Sequence, residues 1–285
     1  MNAPERAMPR GTIGEILIER GLIKPEDVKT ILERQRIFEE PFGEAAIALK
    51  LLKRHDLDAA LTKQFNYGYV LDADTRLDPA LVTAFKPFSR TSEEFRALKS
   101  QLMLRWFNGD PRRRLLAVVS QRPRDGRSFV AANLAVVFAQ QGQRTLLIDA
   151  DLRKPRIATW FHTNHTAGLT GILSGRTGLE AVQGFSALPG LRVLPAGATP
   201  PNPQELVSMP AFGQTLDQVQ EHFDVVLIDT PAVDGVSDAE IIAARAGAAL
   251  IVVRKHRSPL RGVSDVAGRL QDTGVAVVGT MLNHY

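Results

Sequence analysis

The sequence predicts an α/β fold, a mostly parallel sheet with helices on both faces, preceded by a small all-α module of two helical-hairpin repeats. Three observations carry this. Beyond residue 114 short apolar runs alternate with helical segments, and runs that are apolar at successive positions belong to strands covered on both sides. The first run leads through a polar loop into a helix, and residues 13–64 hold no strand-like run but repeat themselves. With 285 residues, 44% of them apolar, there is enough to fill one large core and one small one. The expected division is 1–65 for the helical module, 66–87 for a connector and 88–285 for the α/β domain.

IGEILIERGLIKPEDVKTILERQ (13–35) and FGEAAIALKLLKRHDLDAALTKQ (42–64) align without a gap at an offset of 29. Gly14/Gly43, Glu15/Glu44, Ile18/Ile47, Leu22/Leu51, Lys24/Lys53, Asp27/Asp56, Leu32/Leu61 and Gln35/Gln64 coincide. Helix packing alone explains the leucines but not the matched glycines and glutamines, so the segment reads as an internal duplication. Each copy reads as a short helix, a turn and a second helix, entered near Pro25-Glu26-Asp27 and His55-Asp56. The stretch from Asn66 to Arg90 carries Pro79, Pro87 and polar breaks, the marks of a connector.

In the second half LLAVVS (115–120) is the first strand, and SFVAANLAVVFAQQG is a helix ending at Gly142, a suitable C-cap. TLLIDAD (145–151), LRVLPAG (191–197), DVVLIDT (224–230) and AALIVV (248–253) follow, and VAVVGTMLN closes the series. Ligands of such sheets bind at the carboxyl ends of the strands. Asp149, Asp151 and Asp229 stand there.

The loop QRPRDGRS (121–128) has nearly the Gly-x4-Gly-Lys-Ser/Thr spacing of a phosphate loop, with Gln121 for the first glycine and Arg127 for the lysine. Backbone N–H groups running into a helix N-terminus favour an anion. Phosphate with Mg²⁺ is the economical ligand: Ser128 and Asp229 would hold the metal, and Asp149 or Asp151 would share it or orient an attacking hydroxyl. Capping and turn formation are the ordinary reasons for an aspartate at a strand end; three of them beside this loop favour chemistry.

Composition limits the setting. The absence of cysteine excludes disulfides and thiolate metal sites and suits the cytoplasm. The N-terminus lacks the apolar core of a signal peptide, and no apolar run is long enough to cross a bilayer. Net charge is +4 and the pI near 9.5, but the arginines gather at Arg112–Arg114 and around the loop rather than along one amphipathic helix, so no nucleic-acid ligand is expected.

Two resemblances follow from these residues. SQRPRDGRSFVAANLAVVFAQQGQRTLLIDADLRKPR, LPAGATPPNPQEL and FDVVLIDTPAVDGVSDA together resemble the bacterial tyrosine kinases, most of all EpsG-type members tied to exopolysaccharide chain-length control, from about residue 88 onward. The resemblance implies a P-loop NTPase-like fold, ATP and Mg²⁺ as cofactors, and a membrane polysaccharide copolymerase as partner, which would recruit the chain to the inner membrane. It also implies Walker A residues Asp125, Gly126, Arg127, Ser128 and Phe129 around the phosphates, with Arg127 acting in catalysis. Asp149 would activate the tyrosine, Asp151 would act beside it and near the metal with Ser128 and Asp229, and Asn283 would meet the base. SEEFRALKSQL resembles the family's oligomerisation helix, with Glu93, Arg96 and Lys99 on one face, which implies a homo-oligomer through residues 93–99. The duplicated segment resembles the N-terminal module of type II secretion and pilus ATPases, some of which bind cyclic di-GMP; Thr12 and Pro41 stand where an arginine is usual, and Lys50 where the second copy would carry a glycine.

Three departures from the kinase pattern keep other readings open. Arg127 replaces the lysine, Arg124 stands at a usual glycine, and no tyrosine-rich tail follows Asn283, the tyrosines being Tyr67, Tyr69 and Tyr285. The alternatives are a pseudokinase adaptor gated by ATP or cyclic di-GMP, and a ParA/MinD-like positioning ATPase. Against the latter, Arg122 stands at that group's signature lysine.

Overall fold

The structure, a computed structural model, describes residues 12–54, 56, 57, 60, 61 and 77–284. Tyr67, Tyr69, Tyr285, His55, Gln64 and residues 66–76 of the expected connector lie outside them. The chain divides into two compact units, Met1–Leu71 and Asp72–Tyr285.

The first unit bears the duplication out in its backbone. Helices Ile13–Glu19 and Phe42–Ala48 are offset by 29 residues. Both end in the same pair of bonds: Gly21 N donates to Ile18 O (2.8 Å) and Leu22 N to Leu17 O (2.9 Å), and Lys50 N to Ile47 O (2.8 Å) and Leu51 N to Ala46 O (3.0 Å). This is the glycine-type helix stop. Gly21 has φ +68° and Lys50 φ +59°, so the second copy keeps the left-handed turn although its residue carries a Cβ. A helix at Asp27–Phe38 follows the first hairpin turn, and Leu17, Ile31, Ala45, Ala46 and Leu57 share one small core. A side chain at Gly43 would run into Leu57, which gives this glycine a packing reason. Left-handed backbone costs a residue with a Cβ about 1–2 kcal/mol, partly offset by the entropy that glycine loses. Lys50→Gly is therefore expected to stabilise this unit by about 0.5–1 kcal/mol, read from slower hydrogen exchange of its amides in the full chain.

The second unit holds a seven-stranded sheet. Its strands are β1 (Leu115–Val119), β2 (Thr145–Asp149), β3 (Gln183–Phe185), β4 (Leu188–Leu194), β5 (Val225–Asp229), β6 (Ala248–Arg254) and β7 (Ala276–Asn283), in spatial order β3-β4-β2-β5-β1-β6-β7. All neighbours are parallel except the β3/β4 hairpin. Every residue of β1, β2 and β5 is buried, as expected of strands covered twice. Helix Arg127–Gln140 is buried without a break from Val130 to Ala139 because the sheet covers one side of it, and helices Val82–Phe85 and Arg90–Arg105 cover the other. Helices Pro210–His222, Asp238–Ala246 and Leu260–Asp272 cover the opposite face of the sheet through Phe212, Leu216, Ile242, Val266 and Leu270. No helix among the described residues is long and apolar enough to cross a membrane.

Two boundaries differ from the sequence reading. Strand β4 starts at Leu188, where Pro189 and Gly190 interrupt the apolar run; a Cβ on Gly190 would lie 3.1 Å from Ala139 O, so the glycine lets strand and helix approach. Residues 77–87 pack into the second unit rather than leading to it: Asp78 N donates to Trp160 O (2.9 Å) and Thr83 N to Asn133 Oδ1 (3.0 Å).

Candidate active site

Parallel strands that end together bring the chemistry to one edge. Asp149 pairs in register with Asp229, and Val118 of β1 with Asp229 from the other side, so both carboxylates stand next to the loop that leaves β1. That loop is built by backbone conformation and its own side chains. Gly126, at the mouth of helix Arg127–Gln140, has φ +101°, and a Cβ there would strike the Asn283 amide. Glycine is required on both counts. Arg124 takes φ +68°, so its side chain does not prevent the turn, and its carbonyl accepts from Arg254 NH1 at 2.9 Å. Buried Asp125 braces the loop: its Oδ2 accepts from Arg122 N (3.0 Å) and its carbonyl from Asn283 Nδ2 (3.0 Å).

Arg127 points into the protein. Its Nε donates to Thr230 O (2.7 Å) and its NH1 to Ser120 Oγ (2.7 Å), while NH2 stands 3.5 Å from Asp151 Oδ2. The guanidinium thus bridges the ends of β1 and β5 and serves as counter-ion to the carboxylates. Asp149 is fully buried; its Oδ2 accepts from Arg156 N (3.2 Å) and Ile157 N (3.1 Å), and its Oδ1 from Asp151 N (3.2 Å). Burial first, then the Asp229 charge, push its carboxyl well above the ordinary range. Asp229 is also fully buried, and burial pushes it up to about 7, with the Arg127 charge and then the nearby Ser128 hydroxyl pulling it down. Neither Asp229 carboxylate oxygen is held by a hydrogen bond of normal geometry among the described residues. A buried acid held this loosely is costly in a low-dielectric interior. Asp151 holds Lys154 N through Oδ1 (3.0 Å).

Of the three aspartates only Asp151 lines the adjoining cavity of about 570 Å³, together with Gly126, Arg127, Ser128, Lys154 and Arg156. A second cavity, of about 440 Å³, lies on the other side of Gly126, lined by Val82, Thr91, Phe129, Arg254 and Asn283. All the residues expected at the site are therefore close to this loop, though Asp149 and Asp125 are turned to backbone partners. Sequence reasoning missed Ser120 and Thr230, which hold Arg127, and Arg254, which lacks any motif. It also did not single out Lys154 and Arg156, which follow Asp151 in the chain and line the cavity. Arg153 turns away from the cavity and forms a two-point pair with buried Asp238 (2.8 and 3.1 Å), joining the loops after β2 and β5.

A buried, loosely held carboxylate next to a hydroxyl at a phosphate-type loop suits Mg²⁺, which Ser128 and Asp229 would hold, with Asp151 at the same edge. Among the described residues no three acidic, histidine or cysteine side chains converge as a metal cage, so an ion here would draw its remaining ligands from phosphate and water, as Mg²⁺ commonly does.

The AAA domain family matches residues 113–275. Among curated proteins, the putative tyrosine-protein kinase EpsB of Ralstonia solanacearum is 35% identical over 80% of this chain, which spans 29% of EpsB. The putative tyrosine-protein kinase CapB of Staphylococcus aureus is 33% identical over 70% of this chain and 86% of its own length. The solved kinase domain of the Escherichia coli tyrosine kinase ETK matches with a TM-score of 0.69 at 31% identity, over 75% of this chain and 83% of that one. The fold agrees with that of the solved kinase domain, and the chain belongs to the bacterial tyrosine-protein kinase family.

Proposed function

We propose that this chain is an ATP- and Mg²⁺-dependent protein-tyrosine kinase that acts with a membrane polysaccharide copolymerase to control exopolysaccharide assembly and chain length. The observation that carries the reading is the fully buried Asp229 carboxylate, which has no hydrogen bond of normal geometry among the described residues, beside Ser128 at the loop. The loop N–H groups and the start of helix Arg127–Gln140 would hold the phosphates. Bound Mg²⁺ would neutralise phosphate charge. Phe129, with Asn283 and Val82, offers an apolar wall and an amide for the base. Asp151, lining the cavity, is the carboxylate within reach of an incoming tyrosine hydroxyl; Asp149 stands behind it, and its raised pKa has the direction a proton acceptor needs. Self-association through residues 93–99 would use the outer side of that helix, since Arg96 is engaged by Glu93 (2.7 Å) and Pro87 O (2.6 Å), and Lys99 lies over Phe138.

The test is tyrosine phosphorylation of the chain and of its copolymerase, with ATP and Mg²⁺. Asp149→Asn and Asp151→Asn are each expected to lower the rate about 10²–10⁴-fold. A second reading, a nucleotide-binding adaptor without phosphoryl transfer, would rest on the engagement of every arm of the Arg127 guanidinium within the protein. It predicts a thermal shift with ATP and Mg²⁺ while phosphotyrosine stays absent.

A further inference from the structure

At the rim of the loop stand Arg122, Arg124, Arg254, Lys255, Arg257 and Arg261, all exposed except the half-buried Arg254. Two hydrogen bonds join the loop to the turn after β6: Arg122 NH1 donates to Arg257 O (3.2 Å) and Arg254 NH1 to Arg124 O (2.9 Å). Among the described residues none of the six is paired with a carboxylate, although the other cations with a close acid, such as Arg144 and Arg153, are. Two exposed carboxylates, Asp234 beside Gln121 and Asp265 one turn beyond Arg261, leave the patch strongly positive. The turn that carries the centre of the patch is fixed: Ser258 Oγ accepts from Arg254 N (2.9 Å), Ser258 N donates to Arg254 O (3.0 Å), and Lys255 N to Asn283 O (2.8 Å).

In the middle of this charge is Leu260, 82% exposed. It continues the inward stripe of Val263, Val266 and Leu270 one turn past the last packed residue, so its side chain meets no core. Attraction of a nucleotide to the loop would account for cations but gives no role to a bare leucine on a rigid turn. Cations that surround a protruding apolar side chain match the chemistry of an anionic bilayer, where headgroups take the charge and the leucine enters the acyl boundary.

We infer that the turn Arg254–Arg261, with Arg122 and Arg124, docks directly on an anionic membrane surface through its charges and through Leu260. The inference does not rest on the kinase reading. It is tested by co-sedimentation of the full chain with phosphatidylcholine vesicles, with and without about a third of phosphatidylglycerol, near physiological salt. Binding is expected on the anionic vesicles alone. Each exposed cation near such a surface contributes about fivefold to partitioning, so Arg257→Gln with Arg261→Gln is expected to weaken binding about 25-fold, and Leu260→Ser several-fold. These side chains are exposed, so the variants should keep the parent's far-UV spectrum and melting temperature. Equal binding to neutral vesicles, no binding to either, or binding unchanged in both variants would overturn the inference. So would complete displacement by ATP and Mg²⁺, which would put the anion site in the loop itself, or tighter binding of a single-stranded oligonucleotide, which would make the patch a nucleic-acid site.

Discussion

Asp229→Asn is expected to raise the melting temperature of the ligand-free protein at pH 8 and to abolish the stabilisation by ATP and Mg²⁺. Burial pushes the Asp229 carboxyl up to about 7, well above the ordinary aspartate range, so the folded state binds the proton more tightly than the unfolded chain. A group shifted upward in this way contributes stability that is fully present below about pH 4 and is lost as pH rises toward about 7. Above that, the fold carries a buried anion that costs on the order of 4 kcal/mol. The amide removes this cost, and for a domain of about 200 residues the gain corresponds to as much as 10 °C. The same substitution removes the charge a metal would need. Ligand at about 100 times its dissociation constant adds roughly 2.7 kcal/mol to the parent and should add nothing to the variant. Melts between pH 4 and 8, with and without ligand, check both halves; a variant less stable than the parent at pH 8 would show that the acid is not strained.

The second large effect is at Arg127. Arg127→Ala leaves Asp151 and Asp229 without their counter-ion and Thr230 O and Ser120 Oγ without their donor. Breaking a buried pair from one side costs about 3–5 kcal/mol, so the variant should melt roughly 10 °C lower at pH 8 and lose less at pH 5, where Asp229 is protonated. Arg127→Lys separates fold from chemistry. An ammonium is a point charge that cannot reach Thr230 O, Ser120 Oγ and Asp151 together. It is expected to keep most of the stability and to raise tyrosine phosphorylation at least tenfold, because the charge is no longer tied to the protein. A rate equal to the parent's would mean that the guanidinium already leaves its partners when phosphate enters.

The duplication, the strand runs and the strand-end aspartates were legible because each rests on local pattern: a repeat at fixed offset, successive apolar residues, an acid after an apolar run. The hairpin partner β3 was not, since Gln183-Gly184-Phe185 is too short to show any period. The direction in which Arg127 points could not be read either. A loop spacing says where the residue stands, but the acceptors that draw it inward, Ser120 and Thr230, follow two different strands, and Thr230 is 103 positions away in sequence. Asp149 shows the same limit: its position at the end of β2 was plain, while its backbone partners at Arg156 and Ile157 depend on a turn without a signature.

The pair between Arg153 and Asp238 has a mechanical consequence. It fastens the segment after β2 to the start of the helix after β5, so the two segments that carry the acids shift together or not at all. The opposite wall of the cleft has no such strap: it is a loop with two left-handed residues, Arg124 and Gly126, held from outside by Arg254 and Asn283. The cleft therefore resembles a vice with one fixed jaw, and the adjustment to an arriving ligand falls on the glycine-bearing side while the spacing among the acids is preserved.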